Sequence, residues 1–165
     1  MLDWREIVIF EAMNSFTQQY VMAVFGVKYR LGLIDPEWSD SLYAIMGTIL
    51  KDINGIQPLK INGWKDHVHV LYSTKGLVAD AEVVRRLKSE SSRWLNEQHL
   101  TQGRFEWQRG GARITYSPSA LPAVKLYIEH QWEHHRIKTF REEYEQWLLS
   151  MGVNPTTFDL PEQPK

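Results

Sequence analysis

The strongest constraint on the fold is an alternating stretch near the middle of the chain, at positions 65–72. It contains His67-Val68-His69-Val70, and such alternation is typical of a β-strand because successive side chains point to opposite faces. The Asn62-Gly63 pair before it is typical of a tight turn, which predicts a hairpin with residues 56–61. Both imidazoles would then project from one face, the geometry of a metal-binding pair. Two histidines in a strand are also common as ordinary surface or core groups, so the metal site needs support from a partner elsewhere in the chain.

The order of the other elements places this hairpin in a known type of sheet. The predicted elements are, in order, a strand (16–29), a helix (36–52), the two hairpin strands (56–61 and 65–72), a helix (79–97), a strand (114–116) and two further helices (120–136 and 139–151). The first six follow the split βαβ pattern of ferredoxin-like domains. We therefore predict an α+β fold of the ferredoxin-like or RRM-like type. Its antiparallel sheet is backed by two helices, and a tyrosine-bearing helix is added at the C-terminal side.

The absence of cysteine from the 165 residues excludes disulfides, thiolate metal sites and cysteine nucleophiles, which fits a reducing compartment. A hydrophobic content of 43% is sufficient for the core of one domain. Residues 1–14 carry three acidic side chains and lack the basic start and apolar run of a signal peptide. No stretch reaches the ~18 consecutive apolar residues of a membrane helix. The sequence therefore predicts a cytoplasmic protein with no membrane partner.

Charge is distributed unevenly, although the formal net charge is only -1. Residues 100–141 hold seven basic and three acidic side chains, whereas residues 142–165 hold five acidic side chains and one lysine. Such clustering of basic charge is compatible with a polyanionic partner. It is also typical of solvated helix surface, so charge alone does not decide between the two.

A partner for the two histidines lies in the third predicted helix, at Tyr127 and Gln131. Residues four apart lie on one face of a helix, about one turn from each other. At ~100° per residue, Gln131 falls beside the apolar stripe of Leu121, Val124 and Ile128, and Tyr127 falls at its edge. A tyrosine at that position can project into a cleft as a nucleophile, with the glutamine as a nearby ligand. The alternative is an ordinary half-buried tyrosine and a surface glutamine.

The two histidines, the tyrosine and the glutamine are together suited to an attack on a phosphodiester. A tyrosine hydroxyl with a pKa near ~10 is a poor nucleophile at neutral pH, and a phosphodiester repels anions, so something must neutralise the phosphate. A divalent ion held by His67, His69 and the amide oxygen of Gln131 would do so and would orient the phosphorus for in-line attack. Attack by Tyr127 would leave a covalent phosphotyrosine that preserves the bond energy. Such an intermediate favours strand transfer over hydrolysis.

Several short segments follow one another in a characteristic order. They are Asn62-Gly63, then residues 66–70, 87–97, 105–108 and 116–119, and finally 127–131 with 133–135. With these segments the chain resembles the single-tyrosine HUH transposases of bacterial insertion sequences and their relatives associated with repetitive extragenic palindromes. The resemblance runs from about residue 16 to about residue 152. A lone His-x-His is a weak signal, but the ordered set with Tyr-x-x-x-Gln downstream is a strong one.

The resemblance implies a role for each matching residue. His67 and His69 correspond to the metal ligands, Gln131 to the third ligand, and Tyr127 to the nucleophile that takes the 5′ phosphate of cleaved single-stranded DNA and frees a 3′ hydroxyl. The implied ion is Mg²⁺ or Mn²⁺. Family members are homodimers in which the tyrosine helix of one subunit can complete the histidine site of the other. They recognise imperfect DNA hairpins at element ends, so single-stranded DNA with hairpin ends is the implied partner.

The resemblance also divides the chain into an N-terminal extension (1–15), an HUH transposase domain (16–152) and a C-terminal tail (153–165). The leading segment is a departure from the family. A second departure is Trp64-Lys65, where relatives often have a small apolar residue and proline. These differences leave the implied chemistry intact but put the shape of the approach loop, and the role of the leading segment, in question.

Contacts to DNA outside the metal site are predicted for basic side chains and for one aromatic side chain, because cations neutralise phosphates and an indole can stack on an unpaired base. The predicted contacts are Lys28, Arg30, Lys88, Trp107, Arg109 and Arg113. Each basic group could instead be a solvated charge, and the tryptophan could be a core residue. The histidines at positions 130, 134 and 135 could also approach the metal or the DNA, but they are interpreted as surface or packing groups.

Two other functions stay compatible with the sequence. A domesticated, non-mobile relative would bind hairpin DNA without strand transfer. A metal-dependent nuclease would use the same histidines with water as the nucleophile, and it would still cut DNA after Tyr127→Phe.

Overall fold

The structure, a computed structural model, describes residues 16–157 of the chain. The predicted N-terminal extension and residues 158–165 of the predicted C-terminal tail lie outside the described residues. The division of the chain into extension, domain and tail therefore stays a prediction.

A four-stranded antiparallel sheet with the order β2-β3-β1-β4 forms the centre of the fold. Its strands are β1 (Gln19–Gly26), β2 (Ile56–Trp64), β3 (His67–Thr74) and β4 (Ala112–Tyr116). The β2-β3 hairpin lies at one edge, and β1 pairs with both β3 and β4. This topology confirms the predicted ferredoxin-like α+β fold.

Helices cover both faces of the sheet. They are α1 (Pro36–Lys51), α2 (Asp80–Glu97), α3 (Leu121–Glu129), α4 (Gln131–His134) and α5 (Phe140–Ser150). The first two back one face, as predicted, and α3 and α5 pack on the other. None of the helices among residues 16–157 is long and apolar enough to span a membrane.

Alternation along β3 divides the core into two layers. Val68 and Val70 pack with α1 and α2, whereas Leu71 packs with α3 and α5. His67 and His69 share the face of Leu71 because they lie four and two residues before it, respectively. Both histidines are 0% exposed. The strand is therefore buried on both faces, and its histidines lie inside the second layer of the core.

The hairpin turn lies three residues later than predicted. β2 continues through Asn62-Gly63 to Trp64, and Lys65-Asp66 forms the turn. Gly63 is needed for a different reason, since a Cβ at this position would lie 2.2 Å from the carbonyl oxygen of His67. The prediction of a turn at this pair was wrong because the same residues also suit a close approach of two strands.

The first strand is shorter than predicted. Residues 16–29 were expected to form it, but β1 ends at Gly26 and a 3₁₀ turn, Lys28–Arg30, follows. Tyr29 and Arg30 adopt positive φ angles of 59° and 56°. Such angles are uncommon for residues other than glycine, and they turn the chain sharply after the strand.

The third predicted helix, residues 120–136, is interrupted at His130, which has φ -95° and ψ 27°. Asn62 on β2 donates its side-chain amide to the carbonyl oxygens of Ile128 (2.9 Å) and Glu129 (3.0 Å). In a continuous helix these carbonyls would accept bonds from residues four positions further on. The prediction of one helix was wrong because this contact comes from a strand distant in sequence.

The last predicted helix, residues 139–151, corresponds to α5. Thr139 caps it, with reciprocal bonds between its side chain and the backbone of Glu142 and between the Glu142 side chain and the backbone of Thr139. Its buried residues include Phe140 and Tyr144, which join the second core layer. Helix α5 therefore lies over the face that carries the histidines.

We expect Gly63→Ala to lower the free energy of unfolding by about 2 kcal/mol or more, because the added methyl group meets the backbone of β3, which cannot move without disturbing the ladder. The matched control is Gly47→Ala in α1, where an added Cβ meets nothing within 4 Å. That control should gain about 0.5–1 kcal/mol from the higher helix propensity of alanine. Urea unfolding followed by circular dichroism measures both, and equal stabilities of the two variants would contradict the expectation.

Candidate active site

The two histidines predicted as metal ligands lie side by side at the start of β3, with ring centroids 5.1 Å apart. The strand ladder fixes their spacing, since His67 pairs with Trp64 and His69 pairs with Asn62 on β2. Phe140 of α5 stacks on the ring of His67 with a centroid distance of 4.0 Å and an interplanar angle of 6°. The pair is thus held between the sheet and α5.

Asp66 orients the first histidine from the hairpin turn. Its Oδ1 lies 2.7 Å from His67 Nδ1. A carboxylate only accepts hydrogen bonds, so Nδ1 carries the proton and Nε2 presents its lone pair to the interior. Arg30 donates to the other carboxylate oxygen through both Nε and Nη2. Burial disfavours ionisation of Asp66, but the hydrogen bond with His67 and the charge of Arg30 outweigh it and lower the pKa of Asp66 to about 2.

Gln131 supplies an oxygen to the same place. It is 0% exposed, and its Oε1 lies 3.4 Å from His67 Nε2 and 3.0 Å from His135 Nε2. The amide is oriented by its nitrogen, which donates to the carbonyl oxygen of Tyr127 at 3.2 Å. His135 donates from Nδ1 to the carbonyl oxygen of Lys138 at 2.8 Å, so its Nε2 is also a bare acceptor. Oxygen and nitrogen lone pairs therefore face each other across a short gap.

Glu143 of α5 completes this group. Its Oε2 lies 3.3 Å from His135 Nε2, 3.8 Å from His69 Nε2 and 3.9 Å from His67 Nε2. The side chain is 3% exposed, and neither oxygen forms a hydrogen bond with a described residue. Potential ligand atoms of these three histidines and Glu143 all lie within 4.8 Å of one another.

The chemistry of this group fits a divalent cation. Both nitrogens of His69 and both oxygens of Glu143 are buried without a hydrogen-bond partner among residues 16–157. Leaving a buried polar group unpaired costs about 1–3 kcal/mol, and converging lone pairs repel one another unless a cation or protons lie between them. Burial lowers the pKa of His67, of His69 and of His135, that of His135 to about 3, which keeps the imidazoles in the neutral form that binds metals. Burial, with the nearby charge of Asp66, raises the pKa of Glu143 to about 8.

Tyr127 lies beside this group, on α3 of the same chain. Its ring centroid is 5.6 Å from that of His69 and 5.4 Å from that of His134. The hydroxyl oxygen is buried and has no hydrogen-bond partner in the described part of the chain. The side chain of Asn62, through its bonds to the end of α3, ties the tyrosine helix to the strand that pairs with the histidines.

The structure thus brings together His67, His69, Tyr127 and Gln131, the four residues predicted for the active site. Of the predicted DNA contacts, it brings Arg30 alone to this place, through the hydrogen bonds of Arg30 to Asp66. Lys28 pairs with Glu106 at 2.6 Å, and the remaining basic residues (Lys88, Arg109 and Arg113) line grooves on the α2 side of the sheet.

Two of the predicted DNA contacts are buried. Arg30 is 2% exposed, because its guanidinium is turned inward to Asp66. Trp107 is 8% exposed, its ring packs edge-on against Phe25 and Phe105, and its Nε1 donates to Ser91 Oγ at 2.9 Å. These two residues are therefore not at an accessible surface, and the core alternative describes the tryptophan better than base stacking.

Sequence reasoning missed three residues of the site, namely Asp66, His135 and Glu143. His135 was interpreted as a surface or packing group, although its side chain is 1% exposed. A signal for Glu143 was present, because it lies within the apolar stripe of α5 formed by Phe140 and Tyr144. An acidic residue on the buried face of a helix usually has a specific role, because burying a carboxylate without a partner is costly.

The fold is similar to that of a solved tyrosine transposase. Residues 15–131 match the family of IS200-like transposases, and the chain belongs to this family. The match ends at Gln131, so His135 and the whole of α5 lie beyond it.

Two solved structures share the fold. One is a candidate transposase from Deinococcus radiodurans R1, with 24% identity and a TM-score of 0.58 over 72% of this chain and 94% of that one. The other is a REP-associated tyrosine transposase bound to a REP hairpin, with 12% identity and a TM-score of 0.56 over 87% of each chain. No curated protein sequence matches the chain.

The lowered pKa of Asp66 predicts a specific acid sensitivity. The folded-state pKa of about 2 lies below the unfolded value of about 3.9, so ionised Asp66 contributes stability that is present above pH ~4 and is lost as the pH falls towards 2. We expect the stability advantage of the wild type over Asp66→Asn to shrink by about 2 kcal/mol across this range. Urea unfolding at several pH values, in a chelator, measures the difference, and a difference independent of pH would contradict the expectation.

Proposed function

We propose that this chain is a transposase that cleaves and rejoins single-stranded DNA through a covalent bond between Tyr127 and a 5′ phosphate. Membership of the IS200-like transposase family supports DNA transposition as its general activity. The observation that carries the finer proposal is the buried, unpartnered hydroxyl of Tyr127 beside His69. A buried hydroxyl without a hydrogen-bond partner requires an explanation, and a reactive role beside the histidine pair supplies one.

The tyrosine performs the covalent step. Its Oη attacks the phosphorus, the Oη–P bond forms and the bond from phosphorus to the 3′ oxygen breaks. The phenolic proton is lost, and the departing 3′ oxygen gains a proton. Attack of another 3′ hydroxyl on the phosphotyrosine reverses these changes and rejoins the strand, so no external energy source is needed.

His67, His69 and Gln131 would hold the divalent ion. When bound, such an ion supplies Lewis-acid polarisation of the phosphate oxygens. Asp66 holds His67 in the tautomer that presents Nε2, as carboxylates commonly do behind metal-bound histidines. Of the two predicted ions, Mn²⁺ matches this nitrogen-rich donor set better than Mg²⁺, which prefers oxygen ligands in octahedral geometry.

Hairpin-ended single-stranded DNA is the proposed substrate. Its support is the similar fold of the REP-associated transposase bound to a REP hairpin. Exposed Arg109 and Arg113 are the proposed phosphate contacts outside the metal centre, since neither forms an ion pair with a described residue. A homodimer stays a prediction. Tyr127 lies beside the histidines of its own chain, so each subunit has a complete set of these residues.

A denaturation-resistant adduct is the test of the covalent step. Incubation with hairpin-bearing single-stranded DNA and Mn²⁺ should produce a protein–DNA adduct that survives detergent, and Tyr127→Phe should abolish it. Tyr144→Phe is the matched control, because this second tyrosine belongs to the same core layer and should leave the adduct intact. Cleavage that persists in Tyr127→Phe would favour a nuclease that uses water, and binding without any cleavage by the wild type would favour a non-mobile hairpin-binding relative.

The salt dependence of DNA binding tests the two arginines. Replacing both Arg109 and Arg113 with glutamine should reduce the slope of log K against log salt by about 1.4 for a single strand, because each phosphate contact contributes ~0.7. Lys51→Gln is the control, since this exposed lysine lies in the last turn of α1. Fluorescence anisotropy of a labelled oligonucleotide measures the slope. An unchanged slope in the double variant would remove these residues from the interface.

A further inference from the structure

Helix α5 closes the candidate active site from above. Phe140 stacks on His67, and the ring of Trp147 meets the ring of His69 edge-on at a centroid distance of 5.4 Å. The two ligand histidines and Gln131 are 0% exposed, and the hydroxyl of Tyr127 is buried as well. A phosphodiester of DNA therefore cannot reach the tyrosine or the histidines while α5 is in this position.

The residue that α5 inserts has a carboxyl group, which binds a divalent ion as a carboxylate because metal binding releases its proton. Glu143 Oε2 faces the Nε2 atoms of His67, His69 and His135 at 3.3–3.9 Å, and its Oε1 lies 3.5 Å from His134 Nε2. A carboxylate oxygen and a phosphate oxygen are both hard anionic ligands for a divalent ion. In this position Glu143 offers the histidine pair the kind of ligand that the DNA would offer.

The N-terminus of helix α5 is capped by residues of the same segment. The Thr139–Glu142 capping box satisfies the helix N-terminus with bonds internal to the segment. The family match ends at Gln131, so the segment that covers the site lies outside the matched residues.

We propose that Glu143 is a further ligand of the metal ion at His67 and His69, and that it takes the coordination position of the scissile phosphate, so that α5 and DNA compete for the ion. This inference rests on the proposed function, because it requires a metal at the histidine pair. When DNA binds, the scissile phosphate then replaces the carboxylate of Glu143 as a ligand of the ion, and α5 withdraws from the site. The affinity for DNA is reduced by the fraction of molecules in which α5 is closed.

The variant Glu143→Gln separates this role from a structural one. Glutamine has nearly the same shape as glutamic acid, so the cluster can retain its packing while the anionic ligand is lost. We expect Mn²⁺ binding, measured by calorimetry without DNA, to weaken about tenfold or more, because loss of even an outer-shell partner of a metal ligand costs about 10–100-fold. In the presence of saturating Mn²⁺, binding of a short fluorescein-labelled oligothymidylate should become tighter. A purely structural defect would not weaken the binding of Mn²⁺ and at the same time strengthen the binding of the oligothymidylate.

Two controls accompany this variant. Glu145→Gln removes a carboxylate two residues further along α5 that pairs with Arg141, and it should change neither affinity. Glu143→Asp keeps the charge but shortens the side chain, and its Mn²⁺ affinity should lie between those of the wild type and Glu143→Gln. Circular dichroism and thermal unfolding verify that each variant folds.

The outcomes distinguish this inference from the proposed function. If the wild type binds Mn²⁺ and His69→Ala abolishes binding, the metal centre stands, and an unchanged Mn²⁺ affinity of Glu143→Gln then overturns the role of Glu143. Weaker Mn²⁺ binding without tighter DNA binding also overturns the competition. If neither the wild type nor His69→Ala binds Mn²⁺, the metal role in the proposed function fails, and the inference fails with it.

Discussion

Nitrogen and oxygen atoms with unshared electron pairs are concentrated inside the second core layer. The arrangement of the neighbouring elements depends on this cluster. Three imidazoles, a carboxylate and an amide oxygen face one another in a region that water does not reach. Burial of such groups is tolerated only where their orientation is enforced from outside the cluster. Arg30 and Asp66 provide this enforcement for His67, and the positive φ angle of Arg30 turns its guanidinium towards the interior. Strain of this kind persists where the surrounding contacts over-determine the conformation.

The sequence could predict those parts of the structure that are determined by residues close to one another along the chain. The alternation at residues 65–72 and the helical spacing of α1 and α2 depend on neighbouring side chains, and both predictions agree with the structure. The Asp35-Pro36 start of α1 is likewise local, and Asp35 accepts the expected hydrogen bond from the backbone of Glu37. The link between Tyr127 and the histidines has no local cause. Helix spacing and phosphodiester chemistry suggested it, and the resemblance to a family supported it.

The errors have long-range causes. The break after Glu129 depends on Asn62, which lies on another element, and the inward turn of Arg30 depends on Asp66. Lys88 illustrates the same point for charge. It donates to the carbonyl oxygens of Gln108 and Gly110, and burial together with the nearby charge of Arg113 lowers the pKa of Lys88 to about 8. A lysine counted as surface charge in the sequence is therefore partly a structural group that holds a loop.

The clamp between Asn62 and the end of α3 has a consequence for how two DNA ends could be coordinated. Asn62 pairs with His69 across the hairpin and holds the helix of Tyr127 by two hydrogen bonds, while Trp64 and Trp132 pack together beside it at a centroid distance of 4.3 Å. The nucleophile and the histidines of one chain thus form one mechanical unit. Exchange of tyrosine helices between subunits would have to break all of these contacts at once. With the chemistry proposed above, the tyrosine and the histidines that act at one DNA end would then belong to the same chain.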